Sequence, residues 1–189
     1  IKKYTKIIPK CLVDINGKPF LYHQLKYLKK YKIKKVIIST GYLSNQVEEY
    51  LNNNIKFIKF KIMPDGRKPL GTGGAILKTL PYLNKNFFII YGDSYLRFNL
   101  QDLKKGTNKF AKMAIFKNLG NYDKSNIEIK ASKNIVYYSN KLNKKKLLYI
   151  DYGISWVNKK IFKYMKLNKE FDLSELFEKI SIKNMLKGH

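Results

Sequence analysis

Residues 86–96 read NFFIIYGDSYL. Phe87, Phe88, Ile89 and Ile90 form a short unbroken apolar run of aromatic and β-branched residues. Such a run fits a strand buried on both faces, as in a parallel sheet. It breaks at Tyr91 and Gly92 and sets Asp93 just past the strand's carboxyl end, where open α/β sheets bind their ligands. The chain carries only 13 acidic residues. A carboxylate in that place is therefore a candidate for holding a divalent metal; the competing reading is a turn or N-cap aspartate. One acid suffices for Mg²⁺, which takes one or two carboxylates and completes its shell with phosphate oxygens and water.

Working outward, the apolar periodicity before this stretch alternates between strand and helix. Leu21, Leu25 and Leu28 fall at i, i+4 and i+7 and predict an amphipathic helix over 20–31. Residues 34–40 read as a strand ended by Gly41, and Ser44 is placed to cap a helix whose Val47, Tyr50 and Leu51 share one face. Residues 55–63 alternate apolar and lysine, a strand with one wet face. A Gly- and Pro-rich loop over 64–74 precedes a helix lined by Ile76, Leu80 and Leu83, which Pro81 weakens near its end. After residue 96 the pattern changes. Residues 111–117, 125–131, 135–139 and 147–157 read as strands, with helical pattern only at 159–165 and 173–180. An α/β nucleotide-binding half is thus expected to lead into a more antiparallel substrate half on the same sheet.

The composition narrows the class. A chain of 189 residues with 44% hydrophobic content is long enough for one cored domain. It holds no apolar run near the ~20 residues of a membrane span and opens on no signal-like segment. One cysteine, Cys11, excludes an internal disulfide framework and makes a reducing cytoplasm the expected compartment. The net charge is +26, which attracts polyanions in general. All basic residues but Arg67 and Arg97 are lysine, spread along the chain rather than clustered with arginine. That favours a compositional bias over a specific nucleic-acid surface.

Five further places carry chemistry-bearing residues. Leu70, Gly71, Thr72, Gly73 and Gly74 open a helix, where glycines let a ligand approach the backbone and the first turn offers N–H groups. The spacing is neither a Walker A loop nor a full G-x-G-x-x-G, and a plain glycine-rich helix start is the alternative. Lys10, held in the restricted Ile8, Pro9, Lys10 loop, is a candidate phosphate contact, the alternative being a solvated charge. Asp151 and Gly153, around Tyr152, join an acid to a flexible glycine inside a strand pattern and suit a sugar hydroxyl or, alternatively, a bulge. His23 and Cys11 lack partners at catalytic or zinc spacing and read as packing or surface residues. No hydrolytic triad or glycosidase carboxylate pair is evident.

In order along the chain, Ile8, Pro9 and Lys10 with Gly17, Lys18, Pro19, Phe20 and Leu21, then PLGTGGA at 69–75, GDS at 92–94 and YIDYGI at 149–154 resemble the sugar-1-phosphate nucleotidyltransferases, the NDP-sugar pyrophosphorylases. The likeness runs over nearly the whole chain and is nearest to the heptose- and mannose-1-phosphate guanylyltransferase branch. It implies a Rossmann-like GT-A fold of class α/β, with a mixed, mostly parallel central sheet flanked by helices. It implies a reaction in which an NTP and a sugar 1-phosphate give an NDP-sugar and pyrophosphate, for cell-surface glycan precursors. The resemblance makes Lys10 the triphosphate contact, Asp93 the Mg²⁺ ligand, and Leu70, Gly71, Thr72, Gly73 and Gly74 the base and ribose site. Lys141, Asp151 and Gly153 would serve the sugar phosphate, although Asn140 stands where the family has an acid. GTP is the favoured donor, with CTP and UTP as alternatives. The family's opening strand and G-G-x-G-T-R-L loop would precede Ile1 and its closing segment would follow His189. The 189 residues are therefore expected to be a single nucleotidyltransferase domain lacking both. The competing function is a non-catalytic basic nucleotide- or nucleic-acid-binding module, or an inactive regulatory relative.

Overall fold

In the computed structural model the described residues are 7–66, 68–95, 97–105, 110–118, 121, 124–130, 135–139, 147–165 and 170–189. They divide into two compact units, Ile1–Pro69 with Gly92–Tyr95, and Leu70–Tyr91 with Leu96–His189.

The first unit opens with a 3-10 turn, Lys10–Leu12, behind Pro9 at φ −54°. A two-stranded hairpin follows, β1 (Asp14–Ile15) with β2 (Lys18–Pro19). Its turn is Asn16 and Gly17, both left-handed at φ 54° and 78°, the conformation that makes Asn-Gly the strongest short hairpin signal. Helix α1 (Phe20–Lys30) buries Leu21, Leu25 and Leu28, the stripe expected from periodicity. His23 on α1 donates from Nε2 to the Ile15 carbonyl at 2.8 Å and so braces the hairpin. Strand β3 (Lys35–Thr40), helix α2 (Ser44–Asn54) and strand β4 (Lys59–Pro64) form a βαβ unit, with β3 and β4 parallel from Lys35↔Lys59 to Thr40↔Pro64. Ser44 does not cap α2 as expected. Leu43, left-handed at φ 59°, takes the cap position, and the Ser44 hydroxyl pairs instead with the Thr40 hydroxyl at 2.7 Å.

The second unit is built on a six-stranded mixed sheet. Helix α3 (Gly71–Thr79) runs into a 3-10 turn at Leu80–Tyr82 that carries Pro81. Strand β5 (Asn86–Ile90), helix α4 (Leu100–Lys104) and strands β6 (Ala111–Lys117), β7 (Ile127–Lys130), β8 (Ile135–Tyr138) and β9 (Tyr149–Asn158) follow. A 3-10 segment at Lys159–Tyr164, helix α5 (Leu173–Ile182) and strand β10 (Leu186–Gly188) close the chain. The strand order is β5-β9-β6-β10-β8-β7. Strand β10 is parallel to β6, while β9 is antiparallel to β5, β6 and β7. The α/β class, with a mixed sheet and flanking helices, is thereby borne out.

Two expectations need correction. The pairing described for β5 is antiparallel, to β9, and its burial alternates: Phe87 and Ile89 are in the core while Phe88 and Ile90 are half-buried. Phe88 lies against Trp156 with ring centroids 4.5 Å apart, and the Lys104 ammonium stands 5.3 Å over its ring. An apolar run alone does not distinguish a core face from a face covered by aromatic rings and lysine stems. The second correction is that Gly71, Gly73 and Gly74 lie within α3, whereas the loop was expected to extend through residue 74.

Helix α5 closes the core with Leu173, Leu176, Phe177 and Ile180, all at most 1% exposed. It starts in a capping box: the Asp172 carboxylate accepts from the N–H of Glu175, whose own carboxylate accepts from the N–H of Asp172. Among the described residues, no helix is long and apolar enough to cross a membrane.

Candidate functional site

Lys10 and Asp93 are 83 positions apart in sequence, and the first unit brings their side chains to 3.4 Å, ammonium to carboxylate Oδ2. Both are exposed, at 62% and 60%. A pair so open to water adds little to stability, so both charges can be turned to a ligand at small cost. Asp93 sits in a turn with Gly92, and Gln24 of α1 pins that turn by donating from Nε2 to the Ser94 carbonyl at 3.2 Å. A Cβ added at Gly92 would meet nothing within 4 Å. Protein packing therefore does not demand glycine there, and open space is left beside Asp93. Among the described residues no cluster of three His, Cys, Asp or Glu could hold a metal by itself. The donor set fits a Mg²⁺ carried in with a polyphosphate, with Asp93 as the protein ligand, rather than a resident ion in a protein cage.

In the second unit the glycine-rich turn is wedged against the start of α5. The N–H groups of Gly73 and Gly74 both donate to the Phe171 carbonyl, at 3.0 and 3.1 Å, and the Phe171 N–H donates to the Leu70 carbonyl at 3.1 Å. The first-turn N–H groups were expected to be open to a ligand; those of Gly73 and Gly74 are engaged within the protein. The glycines are also required sterically. A Cβ on Gly73 would come within 2.1 Å of the Phe171 ring. One on Gly71, itself at φ +70°, would lie 2.6 Å from the Phe171 carbonyl oxygen.

Asp151 and Gly153 lie together on β9, where the register against β6 shifts between Met113 and Ile115. The bulge alternative for this stretch is thus realised, with Gly153 left-handed at φ 84°. Bulges of this kind re-aim side chains and recur beside active sites. The Asp151 carboxylate accepts from the Gly153 N–H at 2.8 Å and from the Tyr91 hydroxyl at 3.0 Å. Tyr91 also donates its N–H to the Gly153 carbonyl at 3.0 Å. Burial pushes the Asp151 carboxyl up to about 6, against the lowering effect of the hydrogen bonds from Gly153 and Tyr91. Lys141 and Asn140 lie outside the described residues.

The sequence reading missed Gln24, Tyr91, Phe171 and Asp172. Of these only Asp172 had a legible signal, the D-x-x-E of a capping box at Asp172 and Glu175.

The sequence matches the Nucleotidyl transferase family over residues 4–184. The chain belongs to that family. It is 31% identical over 179 residues to the D-glycero-alpha-D-manno-heptose 1-phosphate guanylyltransferase of Campylobacter jejuni, covering 94% of this chain and 79% of that protein. To the enzyme of the same description from Aneurinibacillus thermoaerophilus it is 37% identical over 106 residues, 56% of this chain and 44% of the relative. The crystal structure of HddC from Yersinia pseudotuberculosis complexed with GMP-PN superposes with a TM-score of 0.76 at 23% identity, covering 96% of this chain and 80% of that one. That likeness shows the nucleotidyltransferase fold.

Two outcomes follow. Because the folded state binds the Asp151 proton more tightly than the unfolded chain, this group's contribution to stability is full below about pH 4. It is lost as pH rises to about 6, a loss of at most about 3 kcal/mol. Asp151→Asn should therefore raise the unfolding free energy at pH 8 and change it little at pH 4, as read by urea denaturation; an equal effect at both values contradicts the assignment. Gly73→Ala should destabilise by roughly 1–3 kcal/mol through overpacking, with partial recovery in the double variant with Phe171→Leu. Gly71→Ala, which meets the backbone carbonyl, should not recover with Phe171→Leu.

Proposed function

We propose that this protein joins an NTP and a sugar 1-phosphate to give an NDP-sugar and pyrophosphate. The observation that carries the reading is the exposed pairing of Lys10 with Asp93 at 3.4 Å. It sets one cation and one anion side by side on turns, as a metal-bound polyphosphate requires. In the reaction a phosphate oxygen of the sugar 1-phosphate attacks the α-phosphorus of the NTP. A new P–O bond forms, and the bond from the α-phosphorus to the pyrophosphate oxygen breaks. The attacking group belongs to the substrate, so no protein nucleophile is needed, and catalysis rests on positioning and charge stabilisation. Lys10 neutralises the triphosphate, and Asp93 holds Mg²⁺. The ion, when bound, offsets charge that builds on the phosphate oxygens.

The turn of Leu70, Gly71, Thr72, Gly73 and Gly74 receives the base and ribose. Gly73 and Gly74 serve it by letting the backbone run close against Phe171, and Leu70 to Thr72 form its outer edge. Lys141, Asp151 and Gly153 take the sugar phosphate, with Tyr91 holding the Asp151 carboxyl. GTP is the favoured donor, supported by the guanylyltransferase relatives, with CTP and UTP as the alternatives. The sugar is of hexose or heptose type, destined for cell-surface glycan precursors, and the compartment is the cytoplasm.

The test mixes full-length protein and Mg²⁺ with a panel of NTPs and sugar 1-phosphates and reads pyrophosphate. Release with at least one pair is expected. Failure of every pair, with salt-sensitive binding of RNA or DNA instead, favours the basic binding module. Asp93→Asn should lower turnover by at least ~100-fold with loss of charge stabilisation, while its exposure leaves the melting temperature unchanged. Near-normal Mg²⁺-dependent turnover in that variant would refute the role of Asp93.

A further inference from the structure

Helices α3 and α5 begin against one another, and each supplies what the other's first turn lacks. Helix α3 starts at Leu70 with no side-chain cap. Its unsatisfied first-turn donors are met from α5. The Thr72 N–H donates to Asp172 Oδ1 at 3.4 Å, and the N–H groups of Gly73 and Gly74 go to the Phe171 carbonyl. In return the Thr72 hydroxyl accepts from the N–H of Leu173, the first residue of α5, at 2.8 Å, and donates to Asp172 Oδ1 at 3.4 Å. Asp172 thus serves two helix starts, closing its own capping box with Glu175 while reaching Thr72. Two helix N-termini each carry partial positive charge, and a single carboxylate between them offsets both. The N–H groups of Thr72, Gly73 and Gly74 thus all run to the two residues that lead into α5. The backbone course of the turn at 70–74 is set by residues about a hundred positions later in the chain, the Thr72–Asp172 separation being 100.

We infer that Asp172 and Thr72 form an interlock that positions the nucleotide-binding turn, so that the start of α5 governs affinity for the NTP rather than the rate of transfer. Asp172 is a positioning residue, acting through the turn it holds. The inference rests on the reading of residues 70–74 as the base and ribose site. Loss of the carboxylate frees the Thr72 N–H and hydroxyl and removes the offset between the two helix ends. The turn then samples courses that no longer fit the nucleotide.

The experiment measures KM for the NTP, KM for the sugar 1-phosphate and kcat in the full-length protein, and titrates the same NTP directly by calorimetry in the presence of Mg²⁺. Asp172→Ala should weaken NTP binding about tenfold, the size of a lost cap converted to affinity, with kcat and the sugar 1-phosphate KM changed less than about twofold. Asp172→Asn, which keeps the Oδ1 acceptor, should restore most of the NTP affinity. The double variant Asp172→Ala with Thr72→Val should bind the NTP no more weakly than Thr72→Val alone, because the same interlock is lost either way, and additive losses contradict it. Where Asp172→Ala does not fold, Asp172→Ser, which keeps a capping oxygen for α5, takes its place. Wild-type NTP affinity in a folded Asp172→Ala or Thr72→Val variant overturns the interlock, as does an equal shift for both substrates. If the wild-type protein binds an NTP but releases no pyrophosphate with any sugar 1-phosphate, the reaction assignment fails by itself and the titration alone decides the interlock. A wild-type protein that binds no NTP overturns both.

Discussion

Strand β9 breaks its own ladder at Gly153, and the hydrogen bonds of Asp151 and Tyr91 are arranged around that break. The strand pairs with β5, β6 and β7, so a change in the facing of its side chains or a freed backbone N–H needs a bulge. The left-handed Gly153 provides one. Its N–H turns onto the Asp151 carboxylate, and its carbonyl accepts from Tyr91, the residue that follows β5. Tyr91 closes the circuit through its hydroxyl. The carboxyl is thereby tied into the bulge through both of its oxygens, and burial raises its proton affinity.

Some lysines of this strongly basic chain have a second use beside their charge. Lysine stems cover aromatic rings: the Lys26 ammonium stands 4.6 Å over Phe57, and that of Lys104 stands 5.3 and 5.5 Å from Phe88 and Trp156. A lysine used in this way contributes apolar contact as well as charge. The scarce acids are correspondingly placed at particular tasks. Asp93 meets Lys10 on the surface, Asp151 holds the bulge, and Asp172 joins two helices. With a net charge of +26, the field around the molecule favours the approach of polyphosphates and depends on ionic strength.

Local patterns were legible in the sequence, and long-range ones were not. The stripe of Leu21, Leu25 and Leu28 and the run from Phe87 to Ile90 each announced an element, because their periodicity is set within a few residues. Helix α4 and strand β10, five and three residues long, are too short to show a period. The hairpin at Asn16 and Gly17 has a readable Asn-Gly turn signal. Asp93 stands out in the sequence by its place past a strand end and Lys10 by its restricted loop, but their meeting is tertiary. The role of the glycines at 71–74 was readable only in part. Their need for a thin backbone was evident, while the surface they press against, Phe171, lies a hundred positions away and carries no local mark.

The central claim is direct transfer from the nucleotide to the sugar phosphate, with the protein supplying charges and position but no nucleophile. It is tested most directly by isotope exchange between labelled pyrophosphate and the NTP in full-length protein with Mg²⁺. Exchange is expected when the sugar 1-phosphate is present and absent when it is omitted. Exchange without the sugar 1-phosphate would reveal a covalent nucleotidyl-protein intermediate and contradict the account.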